Sequence, residues 1–212
     1  VPPEPGFLQL LRDECDKYGI VLIFDEIVTG FRLAYGGAQE SYGVVPDVCT
    51  LGKIIGGGFP LAAIAGKAEI MAHFDVSKVG DERFLMQLGT LSGNPVASVA
   101  GMKTMEILRR PGCYEKLRLT GQTLMDAITE NLDKAGVAHQ IVGDPTLFDT
   151  VFTQRPVRNY RDVLAADAQI NARFNQLLRE KGIFKAPGKM YISLALTDED
   201  INMTIDAIDI IP

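Results

Sequence analysis

The chain has 212 residues, 47% hydrophobic and 23% charged, a balance that suits one large or two small packed domains. It excludes a disordered, collagenous or disulfide-scaffold protein. With 21 Lys and Arg against 27 Asp and Glu the net charge is −6, and no basic run is present, so no nucleic-acid partner is expected. Cys15, Cys49 and Cys113 are far apart, and His73 and His139 stand away from them. That spacing argues against a disulfide framework and a metal site, and for a reducing, cytoplasmic compartment. The apolar runs fall short of the ~20 residues that span a bilayer, so no membrane partner is expected. The opening Val1-Pro2-Pro3-Glu4-Pro5-Gly6 lacks the basic and apolar regions of a signal peptide. A turn-rich start without Met reads as the middle of a longer chain.

In chain order, Phe7, Leu8, Leu10, Leu11 and Cys15 recur at helical spacing, predicting an amphipathic helix that ends near Gly19. Ile20 to Phe24 is a continuous apolar run ending at Asp25-Glu26, as in a parallel strand covered on both faces. A Gly- and Tyr-rich loop is expected from Thr29 to Gly43, then a strand from Val48 to Leu51 that stops at Gly52-Lys53. The turn-rich Gly56-Gly57-Gly58-Phe59-Pro60 precedes a third apolar run, Leu61 to Ala65. Pro95 to Arg110 predicts a long helix, with Pro111-Gly112 a candidate boundary. Beyond it, helices are predicted over Tyr114 to Ala135, Ala165 to Lys181 and Asp198 to Ile210. Strands are predicted at Gln140 to Val142, Thr150 to Thr153 and Tyr191 to Leu196. Helices on an essentially mixed sheet make this half an α+β unit.

Ligands of open α/β sheets bind at the carboxyl ends of strands, which singles out Asp25 and Lys53. From spacing alone they fit either a convergent carboxylate and amine or an ordinary strand-end ion pair. Leu51, Ile54 and Ile55 flank Lys53, and an amine in apolar surroundings has a lowered pKa and becomes a nucleophile for carbonyls. Two phosphate motifs fail. A P-loop would need Gly at position 47 and Ser or Thr at 54, where Asp47 and Ile54 stand; a dinucleotide fingerprint from Gly56 would need Gly or Ala at Leu61.

Three segments then carry a resemblance: Leu22-Ile23-Phe24-Asp25-Glu26-Ile27-Val28-Thr29-Gly30-Phe31-Arg32, Leu51-Gly52-Lys53-Ile54-Ile55-Gly56-Gly57-Gly58-Phe59-Pro60, and Gly89-Thr90-Leu91-Ser92-Gly93-Asn94-Pro95. In that order they resemble the class III pyridoxal-phosphate-dependent aminotransferases. Phe31-Arg32-Leu33-Ala34-Tyr35-Gly36-Gly37-Ala38-Gln39 is closest to the glutamate-1-semialdehyde aminomutase branch. The resemblance implies an α/β type I transferase fold. Residues 1–105 would be the C-terminal part of the large parallel-sheet, cofactor-binding domain, and 106–212 the small α+β domain.

The resemblance also implies roles. Lys53 would form the Schiff base with the aldehyde of pyridoxal 5'-phosphate and, once displaced, move the proton. Asp25 would pair with the pyridinium nitrogen. Ile27 would pack on one ring face, or be an ordinary core residue. Thr90 would donate to the cofactor phosphate across a homodimer interface, or belong to a helix-capping turn. Glu26 and Arg32 are substrate candidates, with a solvated strand-end carboxylate and a loop-structuring arginine as their alternatives.

Two departures qualify this. The segment Lys185-Ala186-Pro187-Gly188-Lys189-Met190-Tyr191 is shorter and more basic than the aminomutase branch implies, which favours the broader aminotransferase reading and makes Lys189 a candidate for a substrate carboxylate. The family is also about twice this length, its N-terminal half supplying phosphate donors and an aromatic on the other ring face. The expected function is amino transfer between an amino acid or amine and an oxo acid. The alternatives are intramolecular transfer, as in the aminomutase, and a fragment or assembly domain without cofactor.

Overall fold

A computed structural model describes residues 1–209. The chain divides into two compact units, Pro5–Pro111 and the part from Gly112 onward together with Val1–Glu4. The division falls at the Pro111-Gly112 step rather than after Met105, because the helix containing Met105 continues to Leu108.

In the first unit, helix α1 (Phe7–Tyr18) ends on Gly19, whose left-handed φ of 64° lets its N–H reach back to Asp16 and Cys15. Its half-buried stripe is Leu8, Leu11, Arg12 and Cys15, and Phe7 and Leu10 lie exposed. Strand β1 (Ile23–Glu26) starts later than the apolar run and includes Asp25 and Glu26. Helix α2 (Gly37–Tyr42) occupies part of the segment expected to be all loop. Strand β2 (Val48–Leu51) coincides with the prediction, and β3 (Ala63–Gly66) follows a 3-10 turn over Lys53–Gly56.

β2 is central, parallel to β1 and antiparallel to β3. Ile20, Val21 and Ile23 are half or more exposed, so the two-sided cover expected of a parallel strand is not met among the described residues. Short helices α3 (Ala68–Met71) and α4 (Val76–Val79) lead to α5 (Pro95–Leu108). The side chain of Asn94 caps α5 by accepting from Val96 and Ala97 N–H, and Pro95 fills the first turn.

Asp47 ties this unit together. Its carboxylate accepts from Lys67 Nζ at 2.6 Å, Leu22 N at 2.7 Å and Arg12 Nη1 at 3.0 Å, joining the residue after β3, the residue before β1 and α1. The 3-10 turn beneath Lys53 is seated on α5. A Cβ on Gly101 would collide with the Ile55 carbonyl, and one on Gly57 would lie 2.8 Å from the Ala100 carbonyl. Burial of Ile55, on the order of 2 kcal/mol, helps hold that turn in place.

In the second unit α6 (Cys113–Lys134) buries Leu117, Thr120, Gly121, Leu124, Ile128, Asn131 and Leu132, the stripe of an amphipathic helix. Strands β4 (Gln140–Asp144) and β5 (Leu147–Val151) form a hairpin closed by Asp144, which accepts from the N–H and hydroxyl of Thr146. This turn sets β5 three residues earlier than predicted. Helix α7 (Tyr160–Leu164), absent from the prediction, starts at a reciprocal Asn159–Asp162 cap. Helix α8 (Ala168–Glu180) starts three residues late because Asp167 caps it.

Strand β6 is only Met190–Tyr191, antiparallel to β5, since Ile192 N turns to the Thr146 carbonyl. The sheet is therefore wholly antiparallel rather than mixed. Helix α9 covers Asp198–Asp209, and its expected last residue, Ile210, lies outside the described residues. The core joins Leu124 and Ile128 of α6, Phe148 of β5, Phe174 and Leu178 of α8 and Ile208 of α9. Among the described residues no helix is long and apolar enough to cross a membrane.

Candidate active site

Alternation along β1 sends Phe24 and Glu26 to one face of the sheet and Ile23 and Asp25 to the other. The parallel register sets Thr50 of β2 directly beside Asp25. The Thr50 hydroxyl donates to Asp25 Oδ1 at 3.2 Å, and the Ile27 N–H donates to the same oxygen at 3.1 Å. An ionised carboxylate has no proton to give, so the hydroxyl is the donor. Oδ2 has no hydrogen-bond partner among the described residues, and Asp25 is exposed.

β1 and β2 end in register, Glu26 opposite Leu51, so Gly52 and Lys53 leave the sheet at the edge where Asp25 sits. Strand geometry puts Lys53 about 10 Å along the chain from Asp25's neighbour Thr50. Lys53 has a left-handed φ of 50°, costly for a residue with a side chain and worth roughly 1 to 2 kcal/mol. Gly52 before it has no room for a Cβ to spare: one would stand 3.0 Å from Ile27 Cδ1. Asp25, Ile27, Gly52 and Lys53 are thus gathered at one end of the β1–β2 pair. The apolar enclosure expected around the Lys53 amine is not formed among the described residues. Lys53 is exposed, and Ile55 is spent under α5.

Glu26 is neither solvated nor open to a substrate. It is 1% exposed, and its carboxylate accepts from Thr29 Oγ1 at 2.9 Å, Ala38 N at 2.7 Å and the N and Nε2 of Gln39, both at 3.1 Å. The expected substrate role is corrected accordingly: the side chain binds the first N–H groups of α2 and folds the loop after Asp25 back against β1. Gly37 is left-handed (φ 71°), and a Cβ there would collide with Glu26 Oε2. Arg32 is half-buried in that loop, its backbone N–H donating to the Thr29 carbonyl at 3.0 Å.

Thr90 lies in an exposed turn and makes no hydrogen bond with Asp25, Ile27 or Lys53. The turn does lead into a helix cap, as its alternative reading has it, and the capping side chain is Asn94. Lys189 is in the second unit, exposed, and bridged to Ala186 in a tight turn.

Two residues escape the sequence reading, and both are polar interruptions of apolar strands. One is Thr50, in Val48-Cys49-Thr50-Leu51. The other is Asp149, in Leu147-Phe148-Asp149-Thr150-Val151. Burial pushes Asp149 up to about 6 against the opposing pull of the Lys185 and Lys189 charges. Lys185, lowered by its own burial, donates to the carbonyls of Ala186 at 2.9 Å and Pro187 at 3.3 Å.

The chain belongs to the class III aminotransferases: the family model "Aminotransferase class-III" matches residues 1–211. It is 44% identical over 210 residues to glutamate-1-semialdehyde 2,1-aminomutase 2 of Brevibacillus brevis, covering 98% of this chain and 48% of that protein. Among solved structures it resembles an omega-transaminase from Sphaerobacter thermophilus (40% identity, TM-score 0.90, 99% of this chain and 48% of that one). It also resembles a beta-phenylalanine aminotransferase from Variovorax paradoxus (33% identity, TM-score 0.86, 99% and 48%). The chain spans about half the length of these relatives. The fold is that of the type I transferases, an α/β unit followed by an α+β unit.

Proposed function

We propose that this chain carries the ring-binding and lysine part of a pyridoxal 5'-phosphate-dependent aminotransferase that moves an amino group between an amino acid or amine and an oxo acid. The supporting observation is the Asp25 carboxylate, fixed through Oδ1 with Oδ2 open, at the sheet edge where Lys53 leaves β2. That geometry fits a ring bearing an N–H donor. Bound there, the cofactor supplies an electron sink for the pair left when a proton leaves the substrate carbon.

Asp25 Oδ2 accepts the ring N–H and keeps its proton in place. Ile27 covers one face of the ring and excludes water from it. Lys53 would hold the cofactor through Nζ and, once the substrate amine has displaced it and left it a free neutral amine, would take the proton and return it. Thr90 donates its hydroxyl to the phosphate of a cofactor bound by a second copy, which makes the active form a homodimer. Arg32 binds a substrate carboxylate; Lys189, in the other unit, is a separate candidate for that role. Residues to Pro111 form the end of the cofactor-binding domain, and those from Gly112 the small domain. The well-separated free cysteines favour the cytoplasm.

Intramolecular transfer is the second reading, favoured by the 44% identity to the aminomutase. Turnover of an amino aldehyde with no separate acceptor distinguishes it. The test of the main reading is incubation of the natural full-length protein with pyridoxal phosphate and borohydride, followed by peptide mapping. A pyridoxyl adduct on Lys53 is expected. No adduct anywhere would leave the reading as an assembly domain without cofactor, and an adduct on another lysine would overturn the assignment of Lys53.

A further inference from the structure

We propose that Thr50 is a positioning residue for Asp25: its hydroxyl, with the Ile27 N–H, occupies Oδ1 and so presents Oδ2 to the N–H of a bound pyridine ring. This rests on the assignment of Asp25 to the cofactor ring and extends it to a residue with no role of its own in the chemistry.

Four observations carry it. Asp25 and Thr50 are register partners on the same sheet face, and neighbouring strands ~4.8 Å apart bring such side chains within hydrogen-bond reach. Thr50 is the one hydroxyl-bearing residue of β2, and its branched Cβ restricts χ1, so the hydroxyl is a stiff donor. The two donors approach one oxygen from different chain segments, one from the turn after β1 and one from across the strand. The Asp χ2 torsion is intrinsically broad, and a single donor would let the carboxylate swing; two donors on Oδ1 restrict the plane and single out Oδ2. Finally, the carboxylate is exposed, so burial does not require the Thr50 hydroxyl as a partner.

The test compares Thr50→Val, Thr50→Ser, Asp25→Ala and the Asp25→Ala/Thr50→Val double variant of the natural full-length protein. Pyridoxal phosphate affinity is measured by equilibrium dialysis, the visible spectrum of the bound cofactor is followed against pH, and the rate of the amino-donor half-reaction is recorded. Thr50→Val should weaken cofactor binding and slow the half-reaction by roughly tenfold each, the effect of losing one hydrogen bond to a charged group. It should also shift the pH midpoint of the spectrum. Thr50→Ser, which keeps the donor, should stay within about twofold of the parent. In the Asp25→Ala background Thr50→Val should add nothing, because the carboxylate it acts through is gone.

A Thr50→Val protein that behaves as the parent, beside an impaired Asp25→Ala, overturns the proposal and leaves the assignment of Asp25 standing. Equal losses from Thr50→Val with and without Asp25 would show a purely structural role and also overturn it. An unimpaired Asp25→Ala removes the underlying assignment and the proposal with it. Should Thr50→Val not fold, Thr50→Cys, of similar shape and with a weak donor, takes its place against Thr50→Ser.

Discussion

Thr50 and Asp25 face each other across the parallel β1–β2 pair, the hydroxyl 3.2 Å from Oδ1. The pair shows how this fold prepares a carboxylate at a strand end: the backbone of the following turn and a side chain of the next strand grip the same oxygen. The other oxygen is left for a ligand. Lys53, three residues beyond Thr50, shares this edge, so what disturbs β2 disturbs both groups.

Replacing Lys53 by Ala is expected to abolish amino transfer and the borohydride-trapped adduct while leaving the far-ultraviolet circular dichroism unchanged, because the side chain is exposed. The backbone supplies a second expectation. At φ 50° the Lys53→Gly variant should be more stable than Lys53→Ala by about 1 kcal/mol in denaturant titration. Equal stabilities would show that the left-handed conformation is not retained in solution.

Glu26→Ala should destabilise the fold by about 3 kcal/mol, since it strips the Ala38 and Gln39 N–H groups and the Thr29 hydroxyl of a buried acceptor. Gly37→Ala should cost more than about 1 kcal/mol through its positive φ and the collision with Glu26. Urea midpoints measure both. A Glu26→Ala protein of unchanged stability but altered substrate specificity would restore Glu26 as a substrate ligand.

Asp47 makes stability depend on acid. Its pairing with Lys67, then the Leu22 N–H and Arg12, holds the carboxyl well below the usual range. With the folded pKa below the unfolded one, the stabilisation is fully present above about pH 4 to 5 and is lost as pH falls through the folded value. Thermal midpoints should drop steeply below pH 4, and Asp47→Asn should start lower at pH 7 and fall less. Parallel curves for the two proteins would refute this.

Asp149 acts with the opposite sign. Burial raises its folded pKa to about 6, above the unfolded value of about 3.9, so the ionised side chain weakens the fold above pH 6. That penalty should shrink as pH falls from 7 towards 4. Asp149→Asn should raise the thermal midpoint at pH 7 and remove this part of the pH dependence. A lower midpoint for Asp149→Asn at pH 7 would mean that attraction to Lys185 and Lys189 outweighs burial.

Local features of the chain were enough for much of this. Pro46-Asp47 and Gly52 bracket a strand that the structure reproduces from Val48 to Leu51, and Gly19, Pro95 and Gly112 mark helix ends within a residue or two. Asp25 and Lys53 stand out because each interrupts an apolar run, and that is visible in one dimension. The identity of the family was likewise written in three short motifs.

What needed the tertiary structure was every relationship between distant segments. Position 50 is one polar residue among several until the register sets it beside Asp25. Residues 37–42 look like loop, yet form a helix because a carboxylate from position 26 binds its first N–H groups. That same contact buries Glu26, which its place at the end of an apolar run left open as a substrate candidate or a solvated carboxylate. Asp149 acquires its raised pKa from burial, against the pull of Lys185 and Lys189, which lie about forty residues away along the chain. Propensity and motif are properties of neighbours along the chain, whereas burial, partner and charge environment are properties of neighbours in space, and in this protein the candidate site depends on both.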